Sequence, residues 1–206
     1  MLNLQGKTIL AISAHLDDVE LGCGATVYEL GKSNTVYYVG LSLPPLVERE
    51  TLVQEFYNAT HCLNLDPQKF ILRDYDPRNL FSVRMDILQL LYDLNKELKP
   101  ALVLVPNSKD IHQSHEVVYA EARRAFKYTN ILGYELPWNS MEFSMDVFMT
   151  LSREAVEAKI AAINAYKTQM QRVFFANNIL EDLARVRGKQ IGHEYAECFE
   201  NIRLIL

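Results

Sequence analysis

The sequence predicts an α/β fold in which helices cover both faces of a mostly parallel sheet. Short segments of β-branched and aliphatic residues alternate with longer segments of helical periodicity along most of the 206 residues. The first short segment, Thr8–Ile12, is uniformly apolar, as expected for a strand buried on both faces. Residues rich in His and Asp directly follow two of these segments. Strands that alternate with helices pair in parallel through right-handed crossovers, which favours this fold class.

The elements follow from local patterns. Apolar residues bounded by turn-forming residues predict strands at Lys7–Ser13, Thr35–Leu43, Lys69–Leu72, Ala101–Pro106, Ile131–Leu136, Asp146–Leu151 and Phe199–Ile205. Apolar residues at helical spacing predict helices at Asp18–Lys32, Val47–Leu63, Phe81–Lys99, His115–Tyr128 and Ser152–Arg172. Pro100 ends the third helix, and Ser152 is a favourable start for the fifth. The loops at Pro44-Pro45 and Asp76–Asn79 follow strands, where such sheets bind ligands.

The composition restricts the class of protein. With 49% hydrophobic and 23% charged residues, the chain can bury a full core, and its length fits a single domain over residues 1–206. The formal net charge of −5 disfavours nucleic acid or an anionic membrane as the main partner. We expect no transmembrane helix and no signal peptide, because no segment has either pattern. The three cysteines form no CxxC pair, which predicts a reducing, cytoplasmic location without disulfides or a cysteine-based zinc site.

The most informative residues follow the first predicted strand. Within Ser13–Glu20, one imidazole and three carboxylates come directly after apolar residues. In α/β folds, ligands bind beyond the carboxyl ends of the strands, where these groups would lie. Nitrogen and oxygen donors together suit a divalent metal, zinc above all.

A second polar cluster, Asp110–His115, follows the predicted strand Ala101–Pro106. The carboxyl ends of parallel strands lie at one edge of a sheet, so the two clusters can converge there. His112 and His115 lie about one turn apart if a helix begins at this point. A single histidine is more often structural than a metal ligand, and each aspartate alone could be a helix N-cap. Two such clusters together favour a metal site.

Gly22-Cys23-Gly24 matches the start of a dinucleotide-binding G-x-G-x-x-G pattern. However, Val27 stands where the third glycine belongs, and no acidic residue ends the second predicted strand. We therefore expect these glycines to allow close packing of the helix rather than to bind a nucleotide.

At these residues the chain resembles the LmbE-like, or GlcNAc-PI de-N-acetylase (PIG-L), family of zinc-dependent deacetylases. The family's first motif, approximately A-H-P-D-D-x-E-L-G-x-G-G, corresponds to Ala14–Ala25, and its second, approximately D-x-H-x-D-H, to Asp110–His115. A C-terminal pattern, R-G-x-x-x-G followed by A-E-x-F, corresponds to Arg187–Gly192 and Ala196–Phe199. The resemblance implies a Rossmann-like three-layer αβα fold and removal of an N-acetyl group from an amino-sugar conjugate of the GlcNAc type.

The resemblance also implies roles for matching residues. One zinc ion per chain is expected to bind His15, Asp18 and His115. Asp17 is implied as the general base on metal-activated water, and His112 as the group that stabilises the oxyanion. These roles agree with general chemistry, since a catalytic zinc site keeps a position open for water and needs a nearby base.

Substrate contacts are expected from Arg49, Asp110 and His193. Relatives carry an arginine near the position of Arg49, although a solvated surface role is the open alternative. His193 adjoins the C-terminal pattern, and Asp110 belongs to the second motif. Trp138 follows a proline and is a candidate to stack on a sugar ring.

Three positions depart from the family pattern. Leu16 replaces the usual proline, and Tyr166 stands where histidine is common. Ser114 replaces an aspartate that hydrogen-bonds the oxyanion-stabilising histidine in relatives. Without that carboxylate, we expect the pKa of His112 to be lower than in relatives.

Three functions stay open at the level of sequence. The leading hypothesis is a zinc-dependent N-deacetylase acting on a small-molecule N-acetyl amino sugar. The others are a zinc hydrolase of another amide or an ester, and a non-catalytic binding module on the same fold. Asp17 favours an enzyme, because a binding module has no use for a general base. Self-association into a homo-oligomer is also left open.

Overall fold

The chain forms a seven-stranded sheet flanked by helices, as a computed structural model describes it for residues 4–43, 49–172 and 179–205. The strands are β1 (Thr8–Ser13), β2 (Thr35–Ser42), β3 (Phe70–Tyr75), β4 (Leu102–Pro106), β5 (Asn130–Tyr134), β6 (Val147–Leu151) and β7 (Tyr195–Arg203). The helices are α1 (Asp18–Gly31), α2 (Arg49–Cys62), α3 (Arg84–Leu98), α4 (Gln113–Ala125), α5 (Arg153–Ala165) and α6 (Ile179–Gln190). Within the described ranges, no helix is long and apolar enough to cross a membrane.

The strand order is β3-β2-β1-β4-β5-β7-β6. The first five strands are mutually parallel, whereas β7 runs antiparallel to both β5 and β6. The chain proceeds outward from β1 to β3 and then returns to β1's other side with β4, where Ile9 lies opposite Leu102 and Ala11 opposite Leu104. The order of the sheet therefore reverses between β1 and β4. Open α/β sheets bind ligands at this reversal, and both sequence motifs begin there.

Alternate side chains of β1 enter different cores on the two faces of the sheet. Ile9 and Ala11 pack in a cluster that includes apolar residues of α1, α2 and α5. Leu10 and Ile12 pack in a second cluster with apolar residues of α3 and α4. All four side chains are fully buried. This double burial explains the uninterrupted apolar sequence of the strand and confirms the predicted three-layer arrangement.

α1 is bent at Cys23, whose φ of −147° and ψ of 25° are not helical. A break in a helix exposes backbone N–H groups in the way a helix N-terminus does. Here the N–H groups of Ala25 and Thr26 donate to the carboxylate of Glu197 on β7, at 3.3 and 2.7 Å. Lys159 on α5 donates to the same carboxylate at 2.6 Å, so the buried charge of Glu197 is paired. The last strand thereby holds the second half of the first helix.

Most predicted elements are present, but the C-terminal part differs. The helix predicted over Ser152–Arg172 ends at Ala165, and the strand predicted from Phe199 begins at Tyr195. α6 was not predicted, because Gly188 interrupts its helical pattern. A Cβ at Gly188 would lie 2.6 Å from the backbone of Glu194, so close packing requires the glycine there.

Two sequence predictions near α2 concern residues that the structure does not describe. The predicted start at Val47 and the predicted loop at Pro44-Pro45 lie outside them, and the described part of α2 begins at Arg49. β3 extends to Tyr75, beyond its predicted end at Leu72.

Gly22 allows α1 to approach the sheet. A Cβ at this position would lie 2.3 Å from Cδ2 of Tyr134. The fully buried ring of Tyr134 is fixed, since its hydroxyl donates to the carbonyl of Ile12 at 3.0 Å. We expect Gly22→Ala to lower the free energy of unfolding by about 1–3 kcal/mol through overpacking, measured by urea denaturation.

Gly31, at the end of the same helix, provides the matched control. Its Cβ would lie 4.0 Å from the nearest atom, on Val36. Gly31→Ala should leave the free energy of unfolding unchanged or raise it by up to about 1 kcal/mol. Equal effects of the two substitutions would contradict the steric explanation for Gly22.

Candidate functional site

A cavity of about 410 Å³ lies at the carboxyl ends of β1 and β4. The first motif follows β1 and the second follows β4, and side chains of both line the cavity. The lining residues include His15, Asp17, Asp18, His112, His115, Trp138, Asn139, Tyr166, Gln169 and Arg172. The sheet order thus confirms the predicted convergence of the two clusters.

Donor atoms of His15, Asp18 and His115 lie close together. His115 Nε2 is 3.3 Å from His15 Nδ1 and 3.1 Å from Asp18 Oδ1, and His15 Nδ1 is 3.5 Å from Asp18 Oδ2. Donors bound to one tetrahedral zinc ion at about 2.0–2.2 Å stand about 3.3–3.6 Å apart. The spacing therefore fits a divalent metal.

His112 completes a group of three histidines that could hold a metal ion, since ligand atoms of His15, His112 and His115 all lie within 4.8 Å of one another. The rings of His112 and His115 are stacked, with centroids 4.5 Å apart. However, Nδ1 of His112 accepts a hydrogen bond from the backbone N–H of Ser114 at 3.3 Å and caps α4. A neutral His112 therefore carries its proton on Nε2.

Asp110 lies behind His115 and fixes its ring. Oδ2 of Asp110 is 2.7 Å from His115 Nδ1, and Oδ1 accepts from the backbone N–H of His112 at 2.8 Å. A carboxylate on the far nitrogen of a histidine sets the tautomer that presents Nε2 to a metal. Asp110 is buried and is not among the residues that line the cavity, and a contact between Asp110 and substrate stays a prediction.

The charges of the cluster are strongly coupled. Burial opposes ionisation of Asp18, but His115 and His15 hold the pKa of its carboxyl well below the usual range. Burial alone would lower the pKa of His115, whereas Asp18 and Asp110 raise it to about 10. Burial and the charges of His115 and His15 lower the pKa of His112 to about 4. A pKa of about 4 leaves His112 neutral at pH 7.

Asp17 has the surroundings of a general base. It precedes α1 but makes no side-chain capping hydrogen bond, so its carboxylate is not used as an N-cap. Burial and the neighbouring Asp18 raise the pKa of Asp17, with His15 and Arg172 opposing them. A carboxylate with a raised pKa is a better proton acceptor near neutral pH.

The other two predicted substrate-binding residues, Arg49 and His193, are not among the residues that line the cavity. Arg49 forms a bidentate ion pair with Asp74, at 2.8 and 2.6 Å. His193 is exposed after α6, where its backbone N–H donates to Gly188 O at 2.9 Å. Neither residue is among those that line the cavity, whereas Trp138 is. A role for Arg49 or His193 in substrate binding stays a prediction.

Two features of the site were not predicted. Arg172 Nη1 lies 3.7 Å from Asp17 Oδ2, and the sequence gave no signal for this contact because Arg172 was assigned to the end of a helix. The hydroxyl of Ser114 donates to Pro77 O at 2.8 Å rather than to the His112 ring. Ser114 thus joins the second motif to the loop after β3, which also lines the cavity through Pro77.

Comparison with known proteins identifies the family. The family model of PIG-L, described as GlcNAc-PI de-N-acetylase, matches residues 10–126, which include both motifs. The chain belongs to the PIG-L family. Among curated relatives, the uncharacterized deacetylase YaiS of Escherichia coli strain K12 is 30% identical over 175 residues, covering 79% of this chain and 91% of YaiS.

Solved structures share the PIG-L fold of this chain. N,N'-diacetylchitobiose deacetylase from Pyrococcus horikoshii has a TM-score of 0.73 and 20% identity, over 94% of this chain and 83% of that protein. GalB from Pseudomonas putida KT2440, a 4-carboxy-2-hydroxymuconate hydratase, has a TM-score of 0.78 and 18% identity, over 97% and 98% of the two chains. At these identities the similarity shows the fold, and the fold alone does not distinguish the two reactions.

Asp18 and His112 are the two candidates for the third ligand beside His15 and His115, and the donor distances favour Asp18. We expect Asp18→Ala to weaken zinc affinity by more than about 100-fold, because its oxygens lie within 3.5 Å of both histidine nitrogens. We expect His112→Ala to weaken it by only about tenfold, the lower end of the range for residues that contact the ligands without binding the metal. Competition with a chromophoric chelator measures both affinities.

Asp93→Ala, which removes an exposed carboxylate on α3, is the control and should leave zinc affinity unchanged. The reverse ranking, with His112→Ala the more damaging substitution, would assign the metal to the three histidines instead.

Proposed function

We propose that this PIG-L family member is a zinc-dependent hydrolase that removes the N-acetyl group from a small amino-sugar conjugate. One observation carries the proposal. The donors of His15, Asp18 and His115 lie 3.1–3.5 Å apart at the edge of a cavity, with the uncapped carboxylate of Asp17 beside them. A metal-binding module without catalysis would need the donors but not the base.

In this proposal His15, Asp18 and His115 hold one zinc ion. Zinc, when bound with an open coordination position, lowers the pKa of water to about 7 and polarises an acyl carbonyl. Asp110 keeps the His115 ring in the orientation that presents Nε2, through the contact of 2.7 Å at Nδ1. Both histidines would be neutral when they bind zinc, and the carboxylate of Asp18 would balance part of the charge of the metal.

Asp17 carries the proton transfers in this proposal, and His112 stabilises developing negative charge. Asp17 accepts a proton from the attacking water, because its carboxylate is committed neither to a helix cap nor to the ligand set. It then passes this proton to the nitrogen of the leaving amine as the C–N bond breaks. His112 donates a hydrogen bond through Nε2–H to the oxygen that becomes negatively charged, because its Nδ1 is occupied by the Ser114 N–H. A neutral donor suffices for this role, in agreement with the lowered pKa of His112.

Two observations support an amino sugar as substrate. The indole of Trp138 and the amides of Asn139 and Gln169 line the cavity, and sugars are bound by aromatic stacking and hydrogen bonds. The matching family model is described as GlcNAc-PI de-N-acetylase, and the fold neighbour from Pyrococcus horikoshii deacetylates a chitobiose derivative.

A second candidate is hydrolysis of a less polar amide. Leucine side chains form much of the remaining cavity wall, and they are Leu16, Leu21, Leu43, Leu52 and Leu136. Apolar walls favour an alkyl or aryl substituent on the acyl group or on the amine. A panel that includes N-acetylglucosamine, diacetylchitobiose and N-acyl aryl amines separates the two candidates by release of free amine.

Asp17→Asn tests the division of roles. The amide cannot accept the proton, so we expect turnover to fall by about 10²–10⁴-fold while zinc stays bound at one ion per chain. Turnover is measured with whichever panel compound the wild-type protein hydrolyses, and zinc by elemental analysis. Asp93→Asn is the matched control and should retain wild-type turnover.

Two results would count against the proposal. Loss of zinc in Asp17→Asn would make Asp17 a ligand and remove it from the role of base. Hydrolysis of no amide or ester by the zinc-loaded wild-type protein would favour a binding module or a different reaction on the same fold.

A further inference from the structure

Two tyrosine hydroxyls converge on the carbonyl oxygen of Leu16 in the first motif. Tyr38, on β2, donates to this oxygen at 3.1 Å, and Tyr166, after α5, donates to the same oxygen. Both hydroxyls also contact the carboxyl group of Glu20, each at 2.9 Å. Tyr38, Tyr166 and Glu20 are fully buried. A buried cluster of this kind restricts the groups that it contacts, because breaking one hydrogen bond leaves an unsatisfied polar group.

The carbonyl of Leu16 belongs to the peptide that links Leu16 to Asp17. Its orientation therefore influences where the side chains of His15, Asp17 and Asp18 point. The two preceding carbonyls are also held by side chains. Ser42 Oγ donates to Ala14 O at 2.5 Å, and Ser13 Oγ donates to His15 O.

We propose that Tyr38 and Tyr166 are positioning residues, which hold the Leu16–Asp17 peptide so that His15, Asp17 and Asp18 face the cavity. The proposal rests on the proposed function only in assigning roles to those three side chains.

Leu16 has no ring that would fix its own φ, as a proline would. The two tyrosine hydroxyls instead restrain its peptide group through the carbonyl oxygen.

The test removes single hydroxyls and reads the motif without a substrate or metal. Tyr166→Phe and Tyr38→Phe each delete one donor and keep the ring. We expect backbone amides of residues 15–18 to exchange hydrogen about tenfold faster in both variants of the metal-free protein. Tyr195→Phe is the matched control, because this buried tyrosine contacts Arg185 and Glu181 instead. It should leave exchange at residues 15–18 unchanged.

A second measurement connects the restraint to the metal site. We expect Tyr166→Phe and Tyr38→Phe to weaken zinc affinity about 10–100-fold and to alter the visible absorption of the Co²⁺-loaded protein, which reports ligand geometry. Tyr195→Phe should keep the wild-type affinity and spectrum. A purely structural role would lower the melting temperature of all three variants without moving either readout.

The results separate this proposal from the proposed function. Faster exchange at residues 15–18 in a protein that binds no zinc would support the positioning role and reject the zinc hydrolase. Unchanged exchange at residues 15–18 in both Tyr166→Phe and Tyr38→Phe would overturn the positioning role, whatever the wild-type protein hydrolyses.

Discussion

The parallel pairing of β1 with β4 is the constraint on which the candidate site depends. Both strands are buried on both faces, so their register is fixed by two cores at once, and their carboxyl ends lie side by side. His15 and His115, which are 100 positions apart, are brought to 3.3 Å by this pairing. A shift in register between the two strands would separate the donors by the rise of about 3.3 Å per residue, enough to break any shared coordination.

The cluster is a set of mutually dependent charges rather than a row of independent ligands. The buried carboxylates of Asp18 and Asp110 lie on opposite sides of His115, at 3.1 and 2.7 Å. Burial opposes ionisation of Asp18, and His115 and His15 more than offset that effect. Asp18 and Asp110 in turn raise the pKa of His115. This dependence makes the second motif's Asp110 as important to the geometry as a residue that faces the cavity.

The sequence predicted what short-range patterns encode. The buried strands β1 and β4 are continuous apolar segments, and the polar clusters directly follow them, so the edge of the sheet that carries the candidate site could be located from the residues alone. The contact of Tyr166 with Leu16, across 150 positions, and the pairing of Arg172 with Asp17 could not, because they depend on how the segment after α5 packs. α6 was not predicted, because Gly188 lowers the helical propensity of the segment. The backbone of Glu194 packs so closely on this position that only glycine fits there.

The bend in α1 is stabilised by a residue that is synthesised much later than the helix itself. The first motif is synthesised before Glu197, which holds the N–H groups of Ala25 and Thr26 just beyond the bend and lies 172 positions after Ala25. β7 also enters the sheet between β5 and β6, so the sheet cannot close before this strand arrives. Until β7 has been made, the nascent chain therefore carries both motifs without the strand that holds the second half of α1, so the arrangement of the candidate site depends on residues synthesised after both motifs.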